Sequence, residues 1–260
     1  MAILTGKELA AFAISKIRTP YVYGAKGADG VFSQNKLNFL KANYPKVFTP
    51  SYLNKIARMD VVDKKVCTDC SGLISWYTGK VLGSAQLYSK AYTRLPMKDM
   101  EKFAVGTVLW KSGHVGVYAG KNSKGYPICI EAKGIDYGTI ADIISNPNRW
   151  SCGLTFSWLD YEIINPIDDK TWKGTNPYPK PSELIKKGMK GDPVRWLQWE
   201  LVEAGYGKAF SYNGKVYSKV KIDGDFGIIT VSALKLFQSS CKIKVDGLCG
   251  DVTKKYLVEN

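Results

Sequence analysis

Residues 113–134 read GHVGVYAGKNSKGYPICIEAKG. Two runs in this stretch, Val115 to Ala119 and Tyr126 to Ala132, place apolar residues at every second position, the pattern of strands that bury one face. Between Gly120 and Gly125 stands a polar turn, Lys121-Asn122-Ser123-Lys124. A hairpin folded about that turn sets Val115 opposite Ile130, Val117 opposite Ile128 and Ala119 opposite Tyr126, a continuous apolar face. On the reverse face His114 falls directly across from Glu131. Opposed residues of an antiparallel pair hold their Cβ atoms about 4.5–5.5 Å apart. That is near enough for a carboxylate to hydrogen-bond an imidazole and hold it in one tautomer. A slip of one residue would scatter both the apolar face and the His–Glu pair, so both features support one register.

Upstream of the hairpin the spacing is helical. Residues 6–17, GKELAAFAISKI, read as an amphipathic helix. Thr19 to Gly30 is rich in turns, and a mixed, mainly helical stretch runs to about Asp63. Cys67 to Leu82 reads as a helix opened by Thr68 or Asp69 as cap. Beyond Gly106 the period changes to two, and strands are expected to about Ile164. Helices first and strands afterwards predict an α+β domain over residues 1–165, with helices packed on an antiparallel sheet.

Residues 166–183, PIDDKTWKGTNPYPKPSE, lack apolar periodicity and hold Pro166, Pro177, Pro179 and Pro181. Such a stretch reads as a linker stiffened by proline. Residues 184–260 form a second, smaller domain, expected to be all-α. After the turn Gly191-Asp192-Pro193, Val194, Leu197, Leu201 and Val202 recur at helical spacing. An internal repeat follows: Ile222-Asp223-Gly224-Asp225-Phe226-Gly227 with Thr230, then Val245-Asp246-Gly247-Leu248-Cys249-Gly250 with Thr253. Two copies of a glycine turn leading into a helix imply internal pseudo-symmetry. Asp223 and Asp225 resemble the start of a calcium loop, but the later ligands and the terminal Glu are missing.

The chain has 260 residues, 45% of them hydrophobic and 23% charged, enough apolar surface for a packed core and too much for disorder. No apolar run approaches the roughly 18 residues of a membrane span, so no membrane insertion is expected. The start, Met1 to Leu9, has no secretory-signal pattern, and synthesis in the cytoplasm is expected. A net charge of +14 favours a polyanionic partner such as nucleic acid, anionic lipid or cell wall. The basic residues are dispersed, and no helix-turn-helix, zinc-finger or RNA-recognition signature accompanies them, which argues against nucleic acid. Six cysteines at irregular spacing do not form a disulfide framework and are expected to be reduced.

His114 is the one histidine in the chain, so any imidazole chemistry uses it. A nucleophilic cysteine needs a base beside it and a group that orients the base. Cys70, in Thr68-Asp69-Cys70-Ser71-Gly72-Leu73, stands in the first helical turn, where the helix dipole favours thiolate. Cys67 and Cys70 also form a CxxC, open to redox or zinc roles. A second pair of zinc ligands and a thioredoxin-like βαβ context are both absent, so neither a metal nor a cofactor is expected. Cys70 as a structural residue, His114 as an exposed strand residue and Glu131 as a solvated charge remain alternatives when each is taken alone.

Three ordered motifs resemble the signature of NlpC/P60 cysteine peptidases: Thr19-Pro20-Tyr21-Val22-Tyr23-Gly24, Asp69-Cys70-Ser71-Gly72-Leu73 and Gly113-His114-Val115-Gly116-Val117-Tyr118. Cys129-Ile130-Glu131-Ala132-Lys133-Gly134 is similar to a strand of the phage and clostridial branch of that family. Over about residues 184–257 the chain resembles the type 1 peptidoglycan-binding domain, through Gly188-Met189-Lys190-Gly191-Asp192-Pro193-Val194, Leu197-Gln198, the repeat turns and Phe237-Gln238.

The resemblance implies a papain-like fold that cleaves the stem peptides of bacterial peptidoglycan, commonly beside D-glutamate. It implies Cys70 as nucleophile, His114 as general base and then acid, and Glu131 as the orienting third residue. It also implies Tyr21 bordering the site, and Asp69 and Ser71 at positions that in some members contact a substrate amine. The partner it implies is peptidoglycan, and the biological setting a phage or prophage endolysin, released without a signal by a holin and monomeric by default. An N-acetylmuramoyl-L-alanine amidase of CHAP type and a non-catalytic wall-binding protein stand as the alternatives. Three departures from the family pattern are visible. The interval from Gly24 to Cys70 is long, Thr107 replaces an Asp common before the His strand, and Glu131 stands where many relatives carry His, Asn or Gln.

Overall fold

A helix begins where side chains can satisfy its first N–H groups, and the chain supplies such residues at Thr5, Ser33, Thr49 and Asp69. The computed structural model describes residues 4–122, 125–161 and 176–259. Helix α1 (Gly6–Ser15) is capped by Thr5, whose hydroxyl accepts from the Glu8 N–H. Strand β1 (Lys26–Val31) follows, then α2 (Gln34–Asn43) under a Ser33 cap and α3 (Pro50–Met59) under a Thr49 cap with Pro50 in the first turn. These two helices fill the long interval between Gly24 and Cys70. Strand β2 (Val66–Thr68) pairs antiparallel with β1 and leads into α4 (Cys70–Thr78). Asp69 caps α4, and Gly79 ends it in the left-handed conformation at φ 67°. A short helix, α5 (Ser84–Ser89), precedes the sheet.

The sheet strands are β3 (Thr93–Pro96), β4 (Val108–Lys111), β5 (His114–Lys121), β6 (Pro127–Gly134), β7 (Gly138–Ile143) and β8 (Cys152–Thr155). They form an antiparallel sheet in the order β3-β8-β4-β5-β6-β7. Helices α1 and α4 pack against β5 and β6. Met97, Phe103, Ile144 and Trp150 close on Leu109, Tyr118 and Cys129 of the sheet to form a second cluster. Strands β5 and β6 are therefore buried on both faces, and Glu131 has no exposed surface (0%).

The hairpin register differs from the expected one by two residues: Val117 pairs with Ile130 and Tyr118 with Cys129. The pair closes at Asn122 and Tyr126, not at Gly120 and Gly125. The Asn122 N–H donates to Tyr126 O at 2.9 Å, and the Tyr126 N–H donates to Asn122 Oδ1 at 2.7 Å. A bulge between Tyr118 and Lys121 absorbs the difference. Because the slip is even, every side chain keeps its face.

The chain divides into two compact units, Met1–Lys173 and Gly174–Asn260. Of the expected linker, residues 166–175 lie outside the described residues. Residues 176–183 are packed on the second unit: Tyr178 is buried, and the Asn176 amide donates to Trp196 O and Glu200 Oε1 at 2.9 Å each. The second unit holds α6 (Asp192–Leu201), a hairpin of β9 (Phe210–Tyr212) and β10 (Lys215–Tyr217), α7 (Ile228–Ser240) and α8 (Asp251–Glu259). The hairpin departs from the all-α expectation. Its six strand residues alternate too briefly to be told from a loop by pattern alone.

The repeat in this unit is a repeat of hydrogen bonds. Gln198 of α6 donates to Asp223 Oδ1 (2.7 Å), Asp225 O (3.0 Å) and Thr230 Oγ1 (3.3 Å), and accepts from the Gly224 N–H (2.7 Å). Gln238 of α7 donates to Asp246 Oδ1 (3.0 Å), Leu248 O (2.9 Å) and Thr253 Oγ1 (3.3 Å), and accepts from the Gly247 N–H (2.9 Å). Gly224 and Gly247 both sit at positive φ, 76° and 74°, a conformation that β-carbons disfavour. No helix among the described residues is long and apolar enough to cross a membrane.

Candidate active site

Cys70 is the first residue of α4, and its place is set by the residue before it. The Asp69 carboxylate accepts from the Gly72 N–H (2.5 Å), the Gly24 N–H (3.0 Å), the Ser71 hydroxyl (3.0 Å) and the Lys26 ammonium (2.9 Å). Lys26 also donates to Ser71 Oγ at 2.9 Å. Asp69 and Ser71 are thus buried in a polar knot that pins β1 to the start of α4. The carboxylate's acceptor directions are filled by the protein's own donors.

Tyr21 joins the site through the backbone. Residues 20–22 run beside Thr68, with the Thr68 N–H donating to Pro20 O (3.0 Å) and the Val22 N–H to Thr68 O (3.3 Å). Burial, and after it the neighbouring Cys70 and Asp69, push the Tyr21 phenol well above its ordinary range. The Tyr52 hydroxyl from α3 accepts from the Tyr23 N–H at 2.9 Å, tying the inserted helices to this edge of the site.

His114 opens β5. Its Nε2 lies 2.7 Å from Glu131 Oε2, and its ring also hydrogen-bonds the Cys70 side chain. Burial opposes a charge on the ring, but the hydrogen bonds and charges of Cys70 and Glu131 overcome it and raise the His114 pKa to about 9. Burial likewise opposes ionisation of Glu131. There the His114 hydrogen bond and the charges of Arg149, His114 and Lys133 prevail and hold it at about 2. Both shifts favour the imidazolium–carboxylate form of the pair.

The register sets Glu131 beside Gly116, with His114 reaching it along the diagonal. A Cβ on Gly116 would lie 2.5 Å from Cys129 Sγ, 3.2 Å from the Trp150 ring and 3.3 Å from Glu131 Cβ, so the absent side chain leaves room for Cys129, Trp150 and the base of Glu131. A thiol at a helix start, one imidazole in contact with it and a buried carboxylate behind the ring form the constellation that thiol acyl transfer uses. Cys67 takes no part: it is buried, which pushes its thiol up to about 12.

Residues 190–257 match the family model described as "Putative peptidoglycan binding domain", and the second unit carries a domain of that family. The chain is 38% identical over 85 residues to a spore cortex-lytic enzyme of Oceanobacillus iheyensis, covering 33% of this chain and 27% of that one. It is 32% identical over 100 residues to N-acetylmuramoyl-L-alanine amidase CwlL of Bacillus licheniformis, covering 38% of this chain and 25% of the relative. The chain therefore spans about a quarter of the length of these curated relatives. The solved P60 domain of an antigen from M. avium subspecies paratuberculosis is 18% identical, covering 60% of this chain and 98% of that one, at a TM-score of 0.38.

Three residues that sequence reasoning missed complete the surroundings. Arg149, from the 3-10 turn Pro147–Arg149 between β7 and β8, donates through Nη2 to Glu131 Oε1 and through Nη1 to Asp142 Oδ2 (3.0 Å). Trp150 stacks on His114, ring centres 5.5 Å apart and planes 14° from parallel. Lys26 is the third. None belongs to a motif, and no periodicity marks them. Their approach is a product of tertiary folding.

Proposed function

We propose that this chain is a peptidoglycan hydrolase that cleaves the stem peptide, at the bond between D-glutamate and the diamino acid, by thiol chemistry. The observation that carries the reading is the contact of the chain's single histidine with both Cys70 and the buried Glu131. The Cys70 sulfur attacks the carbonyl carbon, and the backbone N–H of Cys70 stabilises the developing oxyanion. His114 then protonates the leaving amine, giving an acyl-enzyme. Water, deprotonated by the same imidazole, attacks the thioester carbonyl and releases the acid, returning the proton to the site. Glu131 keeps the ring in one orientation and stabilises its cationic form.

The second unit holds the enzyme on its polymeric substrate. A tether of this kind raises local concentration to about the millimolar range. Removing the chain beyond about residue 170 is expected to slow digestion of whole sacculi far more than cleavage of a soluble stem peptide. Equal losses on both substrates would sink the tethering role.

The names of the relatives favour a second reading, amidase action on the muramoyl–L-alanine bond. Mass spectrometry of fragments released from purified peptidoglycan separates the two. New termini between D-glutamate and the diamino acid, absent with Cys70→Ala, support the endopeptidase. Free muramoyl termini move the assignment to amidase, and release that does not depend on Cys70 rejects thiol catalysis.

A further inference from the structure

We infer that Arg149 is a positioning residue for catalysis, one whose guanidinium locks the Glu131 carboxylate in the orientation that holds His114 toward Cys70. The inference rests on the proposed thiol mechanism but is read through a different observable. Glu131 has no solvent contact, and a buried carboxylate persists only when paired. Its two oxygens have separate partners: Oε2 meets His114 Nε2 at 2.7 Å and Oε1 accepts from Arg149 Nη2. With the imidazole alone, the carboxylate could rotate about its last bond and could take the shared proton, leaving a neutral pair. A guanidinium on the second oxygen blocks the rotation, and it does not surrender a proton in return.

Arg149 is itself fixed from three sides. Its second arm donates to Asp142 Oδ2 at 3.0 Å, and that same oxygen accepts from Lys133 Nζ at 2.8 Å. Its guanidinium lies 5.1 Å from the centre of the Trp150 ring, the ring that stacks on His114. The titratable and charged groups arrayed about His114 therefore come from four places: Cys70 on α4, Glu131 and Lys133 on β6, Asp142 on β7, and Arg149 on the turn before β8. From Glu131 to Lys133 the signs alternate: carboxylate, guanidinium, carboxylate, ammonium. A lysine at position 149 has one ammonium and cannot present a planar fork to both carboxylates.

Because His114 is the only histidine, ring N–H resonances of the full-length protein come from it alone, and the Nε2 proton shared with Glu131 is the one that reports on the pair. In wild type that proton should appear far downfield, protected by the carboxylate. In Arg149→Met the resonance should broaden or vanish, and the rate of fragment release from purified peptidoglycan should fall about 10–100-fold, as is usual when a residue supporting a catalytic group is lost. Arg149→Lys should recover part of both. Asp142→Asn, which removes only the outer anchor, should give a smaller loss of both and covers the case in which Arg149→Met does not fold. A sharp, unmoved resonance in folded Arg149→Met or Asp142→Asn, or a rate within about twofold of wild type, overturns the inference. A failure of Cys70→Ala to abolish release would instead remove the thiol mechanism, while the imidazole resonance would still report whether Arg149 holds the pair.

Discussion

Each unit of this protein buries polar side chains, but of different kinds. In the first unit the central buried group is a charge, Glu131, held between His114 and Arg149. In the second the central buried groups are neutral amides, Gln198 and Gln238, each filling its donors and acceptor with one turn. A buried amide with all its bonds made stabilises a shape and responds little to pH. A buried charge is expensive unless compensated, and its neighbours' protonation follows it. Buried amides therefore mark scaffolding here, and the buried charge marks the site at which we propose the chemistry.

The largest test removes the charge and keeps the shape. Glu131→Gln should cut peptidoglycan digestion by about 10²-fold, since the amide oxygen can still accept from the ring but no negative charge remains to stabilise imidazolium. Fragment release measured beside a thermal melt would show whether the loss is chemical. An active Glu131→Gln enzyme would erase the distinction between the two units.

Gln238→Leu tests the other side. It leaves the Gly247 N–H, Leu248 O and the Asp246 and Thr253 side chains short of a partner, and should destabilise the second unit by about 2–4 kcal/mol. Exchange of the Gly247 amide should accelerate, with cleavage of a soluble stem peptide unchanged. Lost activity on that small substrate would mean that the amide does more than build the domain.

The smallest effect is on stability against pH. His114, raised from 6.5 to about 9, contributes stability fully below pH 6.5 and loses it as pH climbs through about 9. Glu131, lowered from 4.5 to about 2, contributes fully above pH 4.5 and loses it as pH falls through about 2. The difference in Tm between wild type and Glu131→Gln should thus be greatest between pH 4.5 and 6.5 and shrink on either side. A difference that stays constant with pH would show that the pair is not ionised as described.

Much of this was legible before any coordinates. Alternation in residues 113–134 placed His114 and Glu131 on one face, and the Asp69 cap put Cys70 at a helix start. A period of two detects odd slips only, so the pairing of Val117 with Ile130 was invisible to it. What decides that register is the closure at Asn122 and Tyr126, a matter of local hydrogen bonding. Arg149 was hidden for a deeper reason. Its target lies on β6, three places from β8 in the sheet order, and a single arginine in a turn looks the same whether it meets water or a buried carboxylate.

Helix α7 occupies both ends of the clamp system. Near its start Thr230 is held by Gln198, and near its end Gln238 holds the second turn. The helix is at once captive and captor, so the turns are linked in series along one rod. Loosening α6 frees the first turn, releases the start of α7 and weakens the grip on the second. The second unit should therefore melt in one concerted step, with no half-domain intermediate.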